Sequence, residues 1–128
     1  NLDNNGDGNT VAITSAGSYH IKVYDYNGSS WSQRGSTITD PQTGNNQFGR
    51  SLTLSNDGNR LITSAWTADN SGNNSGSIYT FDWNGSAWSQ IGNRIDGLEA
   101  YDSFGQFIDV ADDGNRLIAS SITNNTNN

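Results

Sequence analysis

One segment of this chain is written twice. Residues 21–35 read IKVYDYNGSSWSQRG, and 57 positions later residues 78–92 read IYTFDWNGSAWSQIG. Two shorter strings return 56 positions on: Phe48-Gly49 as Phe104-Gly105, and Asp57-Gly58-Asn59-Arg60-Leu61-Ile62 as Asp113-Gly114-Asn115-Arg116-Leu117-Ile118. A third Asp-Gly-Asn lies at Asp7-Gly8-Asn9. A fixed period means one supersecondary unit used repeatedly, each copy burying its apolar face on the next. That requirement narrows the folds open to the chain more than any other property of it.

Each unit reads as strand and turn. Phe48, Leu52 and Leu54 alternate with Gly49, Ser51, Thr53 and Ser55, the two-residue period of a strand. Residues 56–59 (NDGN) form a hairpin turn, because Asp-Gly and Asn-Gly accept positive φ at little cost. Residues 60–66 (RLITSAW) supply a second strand and 77–83 a third; Asn84-Gly85 turns the chain into a fourth at 87–91. No window of useful length shows helical periodicity. The unit is a four-stranded antiparallel meander, and such sheets stacked face to face around an axis make a β-propeller. The expected fold is therefore all-β, with a little over two repeat units. Residues 1–40 form a partial blade (strands two to four), 41–96 a complete blade, and 97–128 a partial blade (strands one and two). A β-sandwich also uses strands of this kind, but it does not call for a repeat. Ring closure takes ~4–8 blades, so the ring is expected to be completed either by further blades in a longer chain or by other subunits. Units cut at both ends, and the absence of Met even at position 1, favour the longer chain.

Composition restricts the function classes. Only 31% of the 128 residues are hydrophobic, against ~45–50% in an average globular chain, so burial has to come from stacking. Four Trp, five Tyr and four Phe nevertheless indicate a folded chain, since disordered chains are poor in aromatics. The net charge is −7 and the six Lys and Arg are scattered, which argues against nucleic acid and anionic membrane surfaces as partners. No apolar run approaches the ~18 residues of a membrane-spanning helix, so no membrane insertion is expected. Without Cys there is no disulfide, thiolate zinc site or redox pair.

Catalysis finds little support. His20 is the only histidine, and no partner that would orient it as a general base is identifiable. No Gly-x-Ser-x-Gly elbow occurs. Glu99, Asp102 and Asp109 would suit glycoside hydrolysis if two of them stood ~5–9.5 Å apart in a cleft. Glu99 and Asp102 read instead as solvated linker charges, and Asp109 falls on the small-residue face of a first strand. The expectation is a protein that is not an enzyme.

Phe48-Gly49-x-Ser51-Leu52, then Leu54-Ser55-Asn56-Asp57-Gly58, then a strand ending Ser64-Ala65, resembles the FG-GAP repeat of integrin-α-like β-propellers. The resemblance is closest to the variant of large secreted proteins, whose units continue with a Trp-Asn-Gly-Ser-x-Trp hairpin like 83–88 here. It implies an extracellular or cell-surface protein acting in adhesion or ligand binding, without catalysis by the repeat. It also implies a calcium loop between the first two strands, and 3–9 (DNNGDGN) matches its first part. Asp3, Asn5 and Asp7 would ligate by side chain and Asn9 by its carbonyl, oxygen donors suited to a hard cation. The acid that should close the loop is missing, Val11 standing in its place, and the same residues also suit a plain hairpin turn.

Two further groups are candidates. Trp66 has no aromatic counterpart in the other copies, where Ala16 and Ile122 stand, and it adjoins a loop at 67–77 that is longer than its equivalent in the first copy. Copy-specific loops on one rim carry binding specificity; Trp66 could stack a sugar whose hydroxyls bond Asp69, Asn70, Asn73 and Asn74. By contrast, Tyr26, Trp31, Trp83 and Trp88 recur and read as blade packing. Asn27, Asn73, Asn84 and Asn124 begin Asn-x-Ser/Thr sequons, glycosylation acceptors in a eukaryotic secretory host. The expected function is a non-catalytic extracellular β-propeller module for protein binding, adhesion or structural assembly. The alternatives are a carbohydrate-binding, lectin-like module and a structural subunit of a ring or fibre completed by other chains.

Overall fold

The computed structural model describes residues 1–14, 17, 19–42, 44 and 46–122, and every regular element among them is a strand. The first sheet comprises β1 (Leu2–Asn4), β2 (Thr10–Thr14), β3 (His20–Tyr26) and β4 (Trp31–Gln33), with β5 (Ile38–Thr39) also on β3. The second repeats it with β6 (Phe48–Leu54), β7 (Arg60–Ala65), β8 (Ser77–Trp83), β9 (Trp88–Gln90) and β10 (Ile95–Asp96). β11 (Ile108–Val110) and β12 (Leu117–Ala119) form the third. All pairings within the sheets are antiparallel, as the hairpin turns require.

Residues 1–40 hold, besides the three strands expected there, a short first strand, β1, on the edge of β2. Leu2, Asp3 and Asn4 pair with Ile13, Ala12 and Val11. Three residues are too few for an alternation to show, and their Asp and Asn resemble a cation loop instead. The outer rank also differs from a simple fourth strand. β4 pairs with β3 at Tyr24–Tyr26, and β5 returns to pair with His20 and Ile21, so two short pieces share one edge. β9 and β10 repeat this on β8.

The apolar core lies between the first two sheets. Ala12, Ile21 and Val23 of the first meet Phe48, Leu61, Tyr79 and Phe81 of the second. Phe48 sets its ring edge-on to Tyr79 at 5.7 Å and to Phe81 at 6.2 Å, a favourable aromatic geometry. On the opposite face of the second sheet Ile62, Ser64 and Ile78 are also buried, and there the third sheet lies. Strand β7 is thus closed on both sides, whereas the outer faces of the end sheets are open: Ile13 is 42% exposed and Ile118 75%.

The recurring Phe-Gly pair now has a mechanical reason. Gly49 (φ +82°) and Gly105 (φ +88°) adopt a backbone conformation that disfavours side chains. A Cβ on Gly49 would stand 2.5 Å from Thr14 Oγ1, and one on Gly105 2.7 Å from the Cβ of Ser64. Thr14 and Ser64 hold matching places in consecutive blades, so the glycine is where one sheet touches the last. A backbone relay supports the same interface. Gly6 N–H donates to the Asn56 carbonyl at 3.0 Å, and Asn56 N–H donates to that of Asp112 at 3.1 Å.

Candidate functional site: the two ends of the blades

Antiparallel pairing sends the hairpins to one end of the sheets and the longer loops to the other. At the hairpin end each Asn-Gly turn is built by its Asn. Asn27 Oδ1 accepts from the Ser29 and Ser30 amides, and Asn84 Oδ1 accepts from those of Ser86 and Ala87, at 2.9–3.0 Å. Both sequon asparagines are exposed, and their Nδ2 atoms make no hydrogen bond among the described residues. Asn73, also exposed, uses Nδ2 to reach the Tyr101 hydroxyl at 3.1 Å. Asn124 and the Ala16 counterpart of Trp66 lie outside the described residues.

A guanidinium clamp joins consecutive blades at this end. Arg60 forms a two-point ion pair with Asp82 (2.7 and 2.8 Å), and its Nη1 donates to the Gly114 carbonyl of the third blade. Asp82 pushes the Arg60 guanidinium further above its ordinary pKa. In the first blade Asp25 holds the same place, but Thr10 stands where Arg60 would be. The cation comes instead from Arg34, whose Nε lies 2.6 Å from Asp25 and whose Nη1 donates to the Gly58 carbonyl at 2.8 Å. The arginine enters from a different strand and meets the same acceptors. Trp83 sits beside it with Arg34 5.8 Å over its ring, while Trp88 Nε1 donates to the Arg34 carbonyl. Trp83 and Trp88 thus pack the second blade on the first, whereas Tyr26 and Trp31, at the matching places, pack on each other at 5.1 Å and stay exposed.

The oxygen-rich turn at 3–9 directs its ligand atoms to separate amides. Asp3 Oδ2 accepts from Leu54 N–H, Asn5 Oδ1 from Thr10 N–H, Asp7 Oδ1 from Asn9 N–H, and the Asn9 carbonyl from Tyr26 N–H. The Asn9 amide holds the Asp7 carboxyl below its usual pKa. Among the described residues no group of three or more His, Cys, Asp or Glu side chains is gathered to hold a metal.

At the loop end the predicted sugar site divides in two. Asp69, Asn70 and Asn74 line a polar groove of about 460 Å³ with Gln42, Asn46 and Thr67. Asp69 Oδ1 accepts from the Asn74 amide at 2.7 Å, and Asn70 exchanges hydrogen bonds with the Gln42 side chain. Gln42 in turn accepts from the buried Tyr79 hydroxyl, whose pKa burial pushes up to about 12. Trp66 is not among the residues that line this groove. Its Nε1 donates to Gln47 Oε1 at 2.9 Å, and Arg50 stands 5.6 Å over its ring. Sequence reasoning missed Arg50 and Gln47 because they precede Trp66 by a whole hairpin, with no periodic signal to link them.

Asp102 also departs from the expected solvated charge. It is 8% exposed, and its Oδ2 accepts from the amides of Leu98 and Glu99, capping the turn into the third blade. Asp109 is exposed and bonds the amide beside it, and His20 is an exposed residue opposite Thr39.

Sheets of this order, stacked through a repeated glycine contact, define a β-propeller architecture. Residues 31–81 match the FG-GAP repeat family, so the unit that the chain repeats is FG-GAP-like. Among solved structures the chain is similar to a Bacteroides uniformis protein provisionally described as a 6-phosphogluconolactonase, a β-propeller. The TM-score is 0.66 at 18% identity over 92% of this chain, a likeness of fold alone. The chain spans 31% of that protein's length. No curated protein matches the sequence.

Proposed function

We propose that the chain is a non-catalytic binding module of an extracellular or cell-surface protein, whose ligand sits at the loop end of the blades. The observation that carries this reading is the contrast between the two ends. At the hairpin end the turns, clamps and aromatics repeat from blade to blade and serve packing. The loop end carries 66–76, a copy-specific excursion whose polar groups line an open groove. A rigid scaffold that varies at one rim is how repeat proteins acquire partners. The titratable side chains near the groove are used in loop architecture, as Asp69 is on Asn74, which supports binding over chemistry.

The test is retention of the folded protein by candidate extracellular ligands on an array of proteins and glycans. Loss of retention on Asp69→Ala, with retention kept on Ser86→Ala at the opposite end, is the expected pattern. Equal loss from both ends, or none, would count against a rim site. A neutral-sugar ligand is the second reading. The groove favours it, because Gln42, Asn46, Asp69, Asn70 and Asn74 offer the donors and acceptors that sugar hydroxyls need. Absence of saturable glycan retention on the same array would remove it.

A further inference from the structure

Arg50 occupies an irregular stretch of β6: the register with β7 shifts between Phe48 and Leu52. Bulges of this kind re-aim a side chain, and here the guanidinium is laid over the Trp66 indole at 5.6 Å. A cation–π contact uses the charge of the guanidinium and none of its N–H donors, so those donors remain to be used elsewhere. Three other arginines give theirs to aspartates, Arg34 to Asp25, Arg60 to Asp82 and Arg94 to Asp96. Arg50 meets no carboxylate among the described residues, although the chain carries 13 acidic side chains.

Its neighbour is oriented in the same sense. Gln47 gives its acceptor oxygen to the Trp66 N–H, so the amide end left over is the Nε2 donor. Gln47 and Arg50 line one pocket of about 340 Å³ with Tyr19, Phe48 and Gly49. That volume lies at the small end of the ~300–1,000 Å³ of ligand pockets, room for one small molecule. The arrangement is not part of the blade plan. At the same places the third unit has Gln106 and Ile122, which cannot form the stacked pair.

We propose that this pocket binds a small carboxylate, its two oxygens received by the edge of the Arg50 guanidinium and by Gln47 Nε2, with Trp66 as the fixed support of both. Planar guanidinium and carboxylate are matched for two parallel hydrogen bonds. The site rests on the loop end being the ligand-bearing end, and it deepens that reading by giving a chemical class and an address separate from the polar groove.

The experiment follows the Trp66 indole N–H resonance, assigned with Trp66→Phe, while sodium glucuronate, sodium propionate and neutral methyl glucoside are titrated into the whole chain. Both carboxylates should shift it saturably, with a Kd of about 1 mM, and methyl glucoside should not. Glucuronate binding more tightly than propionate assigns a uronic acid; equal binding assigns a simple carboxylic acid. Arg50→Gln installs the residue the third unit already carries there and should weaken binding about tenfold. Arg50→Lys keeps the charge without the fork and should weaken it about threefold. No saturable shift with either carboxylate, an equal shift with methyl glucoside, or undiminished binding by the Arg50 variants would overturn the proposal. A ligand retained on the array without carboxylate binding here would sink this inference alone. Failure of both would sink the rim reading as well.

Discussion

Tyr79 shows how one side chain ties the core to the loop end. Its ring packs on Phe48, and its hydroxyl donates to Gln42 in the network that shapes the polar groove. Burial holds the proton to about pH 12, from an ordinary value of 10.0. A folded-state pKa raised in this way contributes stability that is whole below the unfolded value and is lost as the pH climbs through the folded one. Circular dichroism at rising pH should therefore record a loss of stability between about pH 10 and 12, smaller in Tyr79→Phe. Gly49 is the second residue on which much depends. Gly49→Ala forces a Cβ into Thr14 on a backbone at positive φ, and should lower stability in urea by about 2–4 kcal/mol, strain and overpacking together.

Among the elements, the long strands and Asn-Gly hairpins were legible because two independent signals, alternation and turn chemistry, coincide there. β8 begins at Ser77 and ends at Trp83, the limits its sequence pattern sets. β1, β5 and β10 were not legible: two or three residues carry no period, and only pairing with a neighbour makes them strands. The candidate site was legible in part. Trp66 stood out for having no counterpart, but its partners Gln47 and Arg50 belong to the start of another strand. The clamp teaches the same lesson, since Arg34 and Arg60 hold different places in the repeat while serving matching aspartates. Removing the cation by Arg60→Thr should cost about 1–2 kcal/mol, the worth of a charge-assisted bond that is partly exposed. Adding Ile91→Arg, the position equivalent to Arg34, should recover most of that in urea denaturation. Failure to recover would mean that the second blade cannot accept a guanidinium from that side.

For the whole molecule, sheets touching only their neighbours should have stabilities that sum from local terms. Gly49→Ala disturbs the contact between blades one and two, and Gly105→Ala that between two and three. In the double variant the two losses should add within about 0.5 kcal/mol by urea denaturation. A larger discrepancy would show that strain crosses the middle sheet.

The amide relay from Gly6 to Asn56 to Asp112 has a sense of direction, for each turn donates forward and accepts from behind. Whole units can therefore be duplicated, deleted or exchanged within such a chain without disturbing that grammar. A unit set in back to front would bring donor against donor, so growth by copying is open to this architecture and growth by inversion is closed.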